Sequence, residues 1–401
     1  MNITRRAALM GLSSAFAVGR VSFALADAPT EKRFVVVLLR GALDGMQAVV
    51  PYGDPHLAAW RPGLIPPQPG RPGGMLDLGG FYGLNPALPH LHAMYAAGEM
   101  LPIHAVAGPY RTRSHFEAQD YLQLGVDHGM TSGWLNRVLQ VLPDHRAAKT
   151  GPGQGLAVGM SVPLLLRGPV RVGGWSPRSF ATPNPDLYAR IVALNAADPI
   201  TGPALAEGLK EKHFTDRTLG HPMGGMHTPA YRGGFPAVAM AAGKLLAAAT
   251  GPRIAAMELE GWDTHVAQLE RLHAPLAGLD AGLAALKQGM SDAWGSTAVL
   301  VVTEFGRTVR MNGTHGTDHG TATIAFLLGG AVAGGKVRAN WPGLAQGNLF
   351  QNRDLQPTAD VRSVAKGVLA AHLGLSSAAL AQVFPDSAAA APMAGLLRAT
   401  G

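Results

Sequence analysis

No cysteine occurs among the 401 residues, which excludes disulfides, thiolate metal sites and cysteine nucleophiles. Any metal bound by this chain must be held by histidine, carboxylate or hydroxyl groups. Three catalytic or cofactor signatures are also missing: there is no Gly-x-Ser-x-Gly elbow, no Gly-x-Gly-x-x-Gly turn and no Walker phosphate loop. Charged residues make up only 15% of the chain, and its arginines are scattered without aromatic interleaving, which argues against a nucleic-acid partner. Beyond the N-terminus no apolar run is long enough for a membrane helix; the run 324–332 has the length of a buried strand, so no stable membrane insertion is expected. No repeat emerges at a period of 20 to 50 residues, which excludes solenoids and propellers.

What is present begins with an export signal. Arg5 and Arg6 precede an uncharged run, 7–19, that is too short to span a bilayer. Small residues at Ala24 and Ala26, or at Ala26 and Ala28, give a cleavage pattern just before Pro29. Residues 1–28 therefore read as a twin-arginine signal peptide, with the twin-arginine translocase as the partner during export and a periplasmic or secreted mature chain. The formal net charge of +7 loses Arg5, Arg6 and Arg20 with the signal and, by one of the two cuts, Asp27, leaving +4 or +5. That mild positive bias suits a small anionic substrate.

The rest alternates strand-like and helix-like segments, which predicts a single α/β domain over 29–401: three α/β/α layers around a mostly parallel central sheet. Continuous apolar, β-branched runs at 34–39, 101–107, 253–259, 297–303 and 324–328 read as strands covered on both faces. Apolar residues at helical spacing predict helices over 114–124, 186–197, 236–249, 265–290 and 358–373. Two Pro/Gly-rich stretches, 61–80 and 213–234, are expected to be long surface loops.

In such sheets ligands bind beyond the carboxyl ends of the strands, and acids recur there. Asp44 follows the first strand, Asp263 and His265 a later one, Glu304 comes directly after Thr303, and Asp318 with His319 precedes the strand at 324. Carboxylates with two histidines suit zinc, manganese, iron or magnesium. Asp263 and His265 are two apart, so in an extended segment both point to one side and can grip one ion. Taken singly, each acid also fits a helix or turn cap. Ser114 stands at a predicted helix start, where free N–H groups favour an anion, and Arg111 or Arg113 could hold anionic oxygens bidentately. Ser114 with Glu117 equally fits a capping box. His221 and His227 flank a Met-Gly-Gly segment with no acid in easy reach and are set aside.

Five segments together carry a family resemblance: 39–45 (Leu-Arg-Gly-Ala-Leu-Asp-Gly), 113–119 (Arg-Ser-His-Phe-Glu-Ala-Gln), 261–265 (Gly-Trp-Asp-Thr-His), 303–307 (Thr-Glu-Phe-Gly-Arg) and 317–320 (Thr-Asp-His-Gly). Over 30–390 the chain resembles the domain-of-unknown-function 1501 family, whose members typically carry twin-arginine signals. That family is placed in the alkaline phosphatase-like superfamily, beside sulfatases and phosphoglycerate mutases. The resemblance implies an alkaline phosphatase-like fold and one or two divalent ions, zinc or manganese. It also implies Asp44 as the first acid, Ser114 as nucleophile, and Asp263, His265 and His319 as ligands of one ion, with Glu304 serving a second. The implied reaction is metal-assisted hydrolysis of phosphate or sulfate esters. Two departures stand out: Glu304-Phe305 replaces the superfamily's usual Asp-His pair, and Asp-x-x-x-His shortens to Asp263-Thr264-His265. A non-catalytic secreted protein binding a glycan or envelope partner, and a metal-dependent oxidoreductase, are the competing readings.

Overall fold

The computed structural model describes residues 21–22, 31–142, 155–176, 185–199, 201–219 and 234–398. His221, His227 and the signal segment other than residues 21–22 lie outside the described residues. In chain order the strands are β1 (Val21–Ser22), β2 (Arg33–Arg40), β3 (Val49–Val50), β4 (Leu76–Asp77), β5 (Gly83–Leu84) and β6 (Met100–Ala107). They continue with β7 (Gly155–Val158), β8 (Gly173–Trp175), β9 (Ile254–Glu260), β10 (Thr297–Thr303), β11 (Thr323–Leu328) and β12 (Ala359–Asp360). Nine form one sheet in the order β1-β8-β7-β9-β2-β10-β11-β6-β12, and β3-β5-β4 form a small second sheet. In the large sheet all strands share one direction except β1 and β11, which run against their neighbours.

The sequence of β2 shows why this sheet is sandwiched. Successive side chains on a strand point to opposite faces, so an unbroken apolar run demands cover on both sides. Val35, Val37 and Leu39 enter one core with the helices Gly234–Ala247 and Gln268–Met290. Phe34, Val36 and Leu38 enter the other with Trp134–Val141 and Val361–Leu373. The result is the expected α/β/α arrangement. No helix among the described residues is long and apolar enough to cross a membrane.

Two expectations need correction. The stretch 213–234 is not all loop, because a helix spans Thr201–Leu219. Gly202, Pro203 and Gly208 masked it in the sequence, yet a proline in the first turn forfeits no helical hydrogen bond. The helix expected from 265 begins at Gln268. Ala267 is left-handed (φ 48°), and the N–H groups of Ala267 and Gln268 donate to the carbonyls of Thr314 and His315, so residues 265–267 form a bend rather than a helical turn.

The sheet register positions the site. Thr303, Leu39 and Leu259 lie abreast on β10, β2 and β9, so the chain leaves three adjacent strands at one height. β6 ends at the same edge. Because β11 is antiparallel, its entry is there too, bringing in the loop that carries Asp318 and His319.

Away from this edge, His104 on β6 is completely buried. Its Nδ1 accepts from Ala105 N–H at 2.9 Å, so the ring must be neutral, with Nε2 donating to the Val49 carbonyl at 2.9 Å. Burial pushes its pKa down to about 4. The unfolded chain, titrating near the ordinary 6.5, binds the proton first, so stability is full above about pH 6.5 and falls as acid approaches pH 4. That difference is worth about 3 kcal/mol. Denaturant titrations between pH 7 and 4 should show a loss of this order that His104→Gln flattens; an equally steep loss in the variant would assign it elsewhere.

Candidate metal centre

Three imidazoles meet at the strand-end edge. His115 opens the helix His115–Leu124 after β6, His265 sits in the bend between β9 and the helix Gln268–Met290, and His319 lies just before β11. The Nε2 atoms of His115 and His265 lie 2.9 and 3.0 Å from His319 Nε2. Asp263 completes the group: its Oδ1 is 3.1 Å from His265 Nε2 and 3.5 Å from His319 Nε2, and its Oδ2 is 3.7 Å from His115 Nε2. Candidate ligand atoms of His115, Asp263 and His319 all lie within 4.8 Å of one another, the single such group among the described residues.

The far side of each ring decides what the near side offers. His115 Nδ1 lies 2.7 Å from Glu304 Oε1, His265 Nδ1 lies 3.1 Å from Asp318 Oδ1, and His319 Nδ1 lies 3.1 Å from the Arg113 carbonyl. Burial works to raise the Glu304 pKa, but bonds from His115, Gln119 and Thr303 outweigh it and hold the carboxyl below its usual range. Asp318 is likewise held low, with bonds from Asn312 and His265 outweighing burial. Carboxylates and carbonyls only accept, so each Nδ1 carries a proton, and in the neutral form of each ring Nε2 then turns a lone pair inward. Burial, with His115 and Arg307 nearby, lowers the His319 pKa and keeps that ring neutral. Burial works to raise the Asp263 pKa, but the Arg307 guanidinium and the neighbouring imidazoles overcome it. With the rings neutral, these lone pairs and the carboxylate repel one another unless a proton or a metal cation lies among them. Imidazole with carboxylate is a donor set that fits zinc and also manganese, and rings oriented by outer carboxylates are the common setting of such ions.

The loops holding this group are clamped by Arg307, a guanidinium fully removed from solvent. It donates to the carbonyls of Gly41 (2.7 Å), Ala42 (2.8 Å), Trp262 (3.2 Å) and Thr317 (3.1 Å), and to Asp263 Oδ1 (2.5 Å). One side chain thus ties the β2 and β9 loops to the His319 loop. Gly41 allows their close approach: its φ is 120°, and a Cβ there would meet the Asp263 nitrogen at 2.8 Å. Phe305 packs its ring 4.9 Å from His115 and 5.1 Å from His319 as an apolar wall.

The remaining expected site residues take other places. Asp44 is fully buried and spends both oxygens on protein: Arg61 Nη1 at 2.7 Å, Gln268 Nε2 at 2.8 Å and Gln47 N–H at 3.2 Å. It is part of a buried ion pair and a cap, not of the imidazole group. Glu304 and Asp318 stand one bond behind the group, orienting the His115 and His265 rings. Arg111 donates to the Gly108 and Tyr110 carbonyls. Arg113 is held by buried Asp354 at 2.6 Å and by Gln351 at 2.7 Å, and serves the centre through its carbonyl, presented from a left-handed backbone (φ 62°). Arg113 thus uses Nε and Nη2 on protein acceptors, and Arg111 uses Nη1. Ser114 is the N-cap residue but its hydroxyl makes no cap bond, and Glu117 accepts from the Tyr110 phenol instead, so no capping box forms. His115 went unnoticed as a ligand in the sequence because the Ser-x-x-Glu spacing around it suggested a cap. An imidazole one residue after a strand-end loop was the available signal.

A family profile described as "Protein of unknown function (DUF1501)" matches residues 96–384, well over half of the chain. The chain belongs to the DUF1501 family. Within this DUF1501 protein the matched span includes His115, Asp263, His265, Glu304, Arg307 and His319 and excludes Asp44. No curated protein matches the sequence. The chain is similar to a solved structure described as a protein in the alkaline phosphatase superfamily from Vibrio parahaemolyticus, at 10% identity and a TM-score of 0.34, over 90% of this chain and 73% of that one.

Proposed function

We propose that this protein is an exported, metal-dependent hydrolase of phosphate or sulfate esters, built on one divalent cation, zinc or manganese, held by His115, His265, His319 and Asp263. The observation that carries this reading is the pair of Nε2 atoms, of His115 and His265, each within 3.0 Å of His319 Nε2 and beside the Asp263 carboxylate. When bound, the cation would supply Lewis acidity to an anionic ester oxygen. The chain's own groups do the rest. Glu304, Asp318 and the Arg113 carbonyl hold the ring protons at Nδ1, and Arg307 holds Asp263. Ser114 is the proposed nucleophile: it adjoins His115, its hydroxyl is not spent on a cap, and the free N–H groups of a ten-residue helix lie beside it. The paired Arg5 and Arg6 support export by the twin-arginine translocase, and the positive net charge supports a small anionic ester as substrate.

The deciding experiment is metal analysis of protein purified from its native compartment, joined to a panel of phosphate monoesters, phosphate diesters and sulfate esters. Zinc or manganese near one ion per chain, with turnover, is the expected result. Metal without turnover of any ester would favour an envelope-binding protein, and a tightly held redox-active iron an oxidoreductase. Ser114→Ala should abolish hydrolysis while metal content holds and stability stays within about 0.5 kcal/mol, as for most partly exposed substitutions. Turnover at the wild-type rate in that variant would remove Ser114 from the chemistry.

A further inference from the structure

Behind the metal centre a chain of hydrogen bonds runs outward from His115 through Glu304 to Gln119 and Arg40. Glu304 Oε1 takes three donors: His115 Nδ1 at 2.7 Å, the Gly41 N–H at 2.9 Å and Gln119 Nε2 at 3.0 Å. Its Oε2 accepts from the Thr303 hydroxyl at 2.8 Å, and the side chain is only 1% exposed. Gln119 lies one helical turn after His115, on the same face of the helix. An amide can present either end to a neighbour, and here Arg40 settles which. Its Nε and Nη2 donate to Gln119 Oε1 at 3.1 and 2.6 Å, so the carbonyl end is saturated and the NH2 end must face Glu304. Arg40, at the end of β2, is held in turn by Glu258 on neighbouring β9, at 2.7 Å.

We propose that Gln119 and Arg40 are positioning residues: together they aim the Glu304 carboxylate at His115 Nδ1 and so keep the His115 Nε2 lone pair turned to the metal centre. A flipped amide would set Oε1 against the Glu304 carboxylate, oxygen against oxygen, and the carboxylate would have to rotate away. That rotation releases His115 to its other tautomer, in which Nε2 carries hydrogen and cannot bind a cation. Outer hydrogen-bond partners of metal-bound histidine commonly govern affinity in this way. The inference rests on the metal-centre reading but concerns residues that touch neither ion nor substrate.

The test uses Gln119→Glu, which keeps the shape and replaces the donor facing Glu304 by an acceptor, and Arg40→Met, which keeps the stem and removes the fork. Zinc affinity is measured by chelator competition on the full mature chain, and the His115 tautomer by long-range proton–nitrogen NMR of the metal-free protein. Zinc affinity is expected to fall about ten- to a hundredfold in both variants. The metal-free melting temperature should hold, and His115 should change from the Nδ1–H to the Nε2–H form or a mixture. Affinity and tautomer unchanged in both variants would overturn the proposal. If the wild type binds no metal at all, the functional reading fails, while the tautomer comparison still decides the role of Gln119 and Arg40.

Discussion

His115→Ala is expected to strip the protein of its metal. The substitution removes one of three converging nitrogens, and it leaves Glu304, buried to 1% exposure, without the 2.7 Å partner that outweighs part of its burial. Loss of an outer partner alone typically costs ten- to a hundredfold in metal affinity, so loss of the ligand should exceed about a hundredfold. Thermal unfolding gives a second readout. Metal at a thousand times its dissociation constant stabilises the wild type by about 4 kcal/mol, and that gain should vanish in the variant and on adding a chelator to the wild type. Plasma mass spectrometry for content and melting curves with and without zinc would settle both points. Should the variant keep full metal content, or should the wild type melt at one temperature with and without metal, the imidazole group is not a metal centre.

The second large effect is expected at Asp44, and it is one of stability. Arg61 and Asp44 are each about 1% exposed, so Asp44→Ala strands a guanidinium away from water. Truncating one member of a buried pair costs about 3–5 kcal/mol. The same substitution takes an acceptor from Gln268 Nε2 and the cap from Gln47 N–H at the helix Gly45–Ala48. Metal content should not change, because both Asp44 oxygens already serve protein donors. Denaturant midpoints and metal analysis of one preparation would separate the alternatives: a stable protein with lost metal would make Asp44 a ligand after all.

The expectation for Asp44 also shows where a sequence stops being informative. An acid after the first strand is equally suited to a cation or to a guanidinium, and only the fold reveals that Arg61, 17 residues away, reaches it first. Glu304 and Asp318 repeat the lesson more mildly. Their residue types and strand-end positions are right for a metal, but their oxygens meet imidazole Nδ1 atoms. His115 makes the converse case, a member of the imidazole group hidden inside a pattern that fits a helix cap.

By itself the sequence determined the α/β class, the main strands and the edge where polar groups collect, because unbroken apolar runs can be buried only between two layers and strand ends are where such runs give way. It also limited the chemistry open to the chain: without cysteine, any metal had to be held by histidine, carboxylate or hydroxyl groups. Only the tertiary structure decided which of the candidate groups meet. The register of β2, β9 and β10, the reversal of β11 and the Arg307 clamp bring residues 115, 263, 265 and 319 together. Those are contacts between distant segments, and hydrogen-bond partners at that range leave no periodicity in the chain to be read.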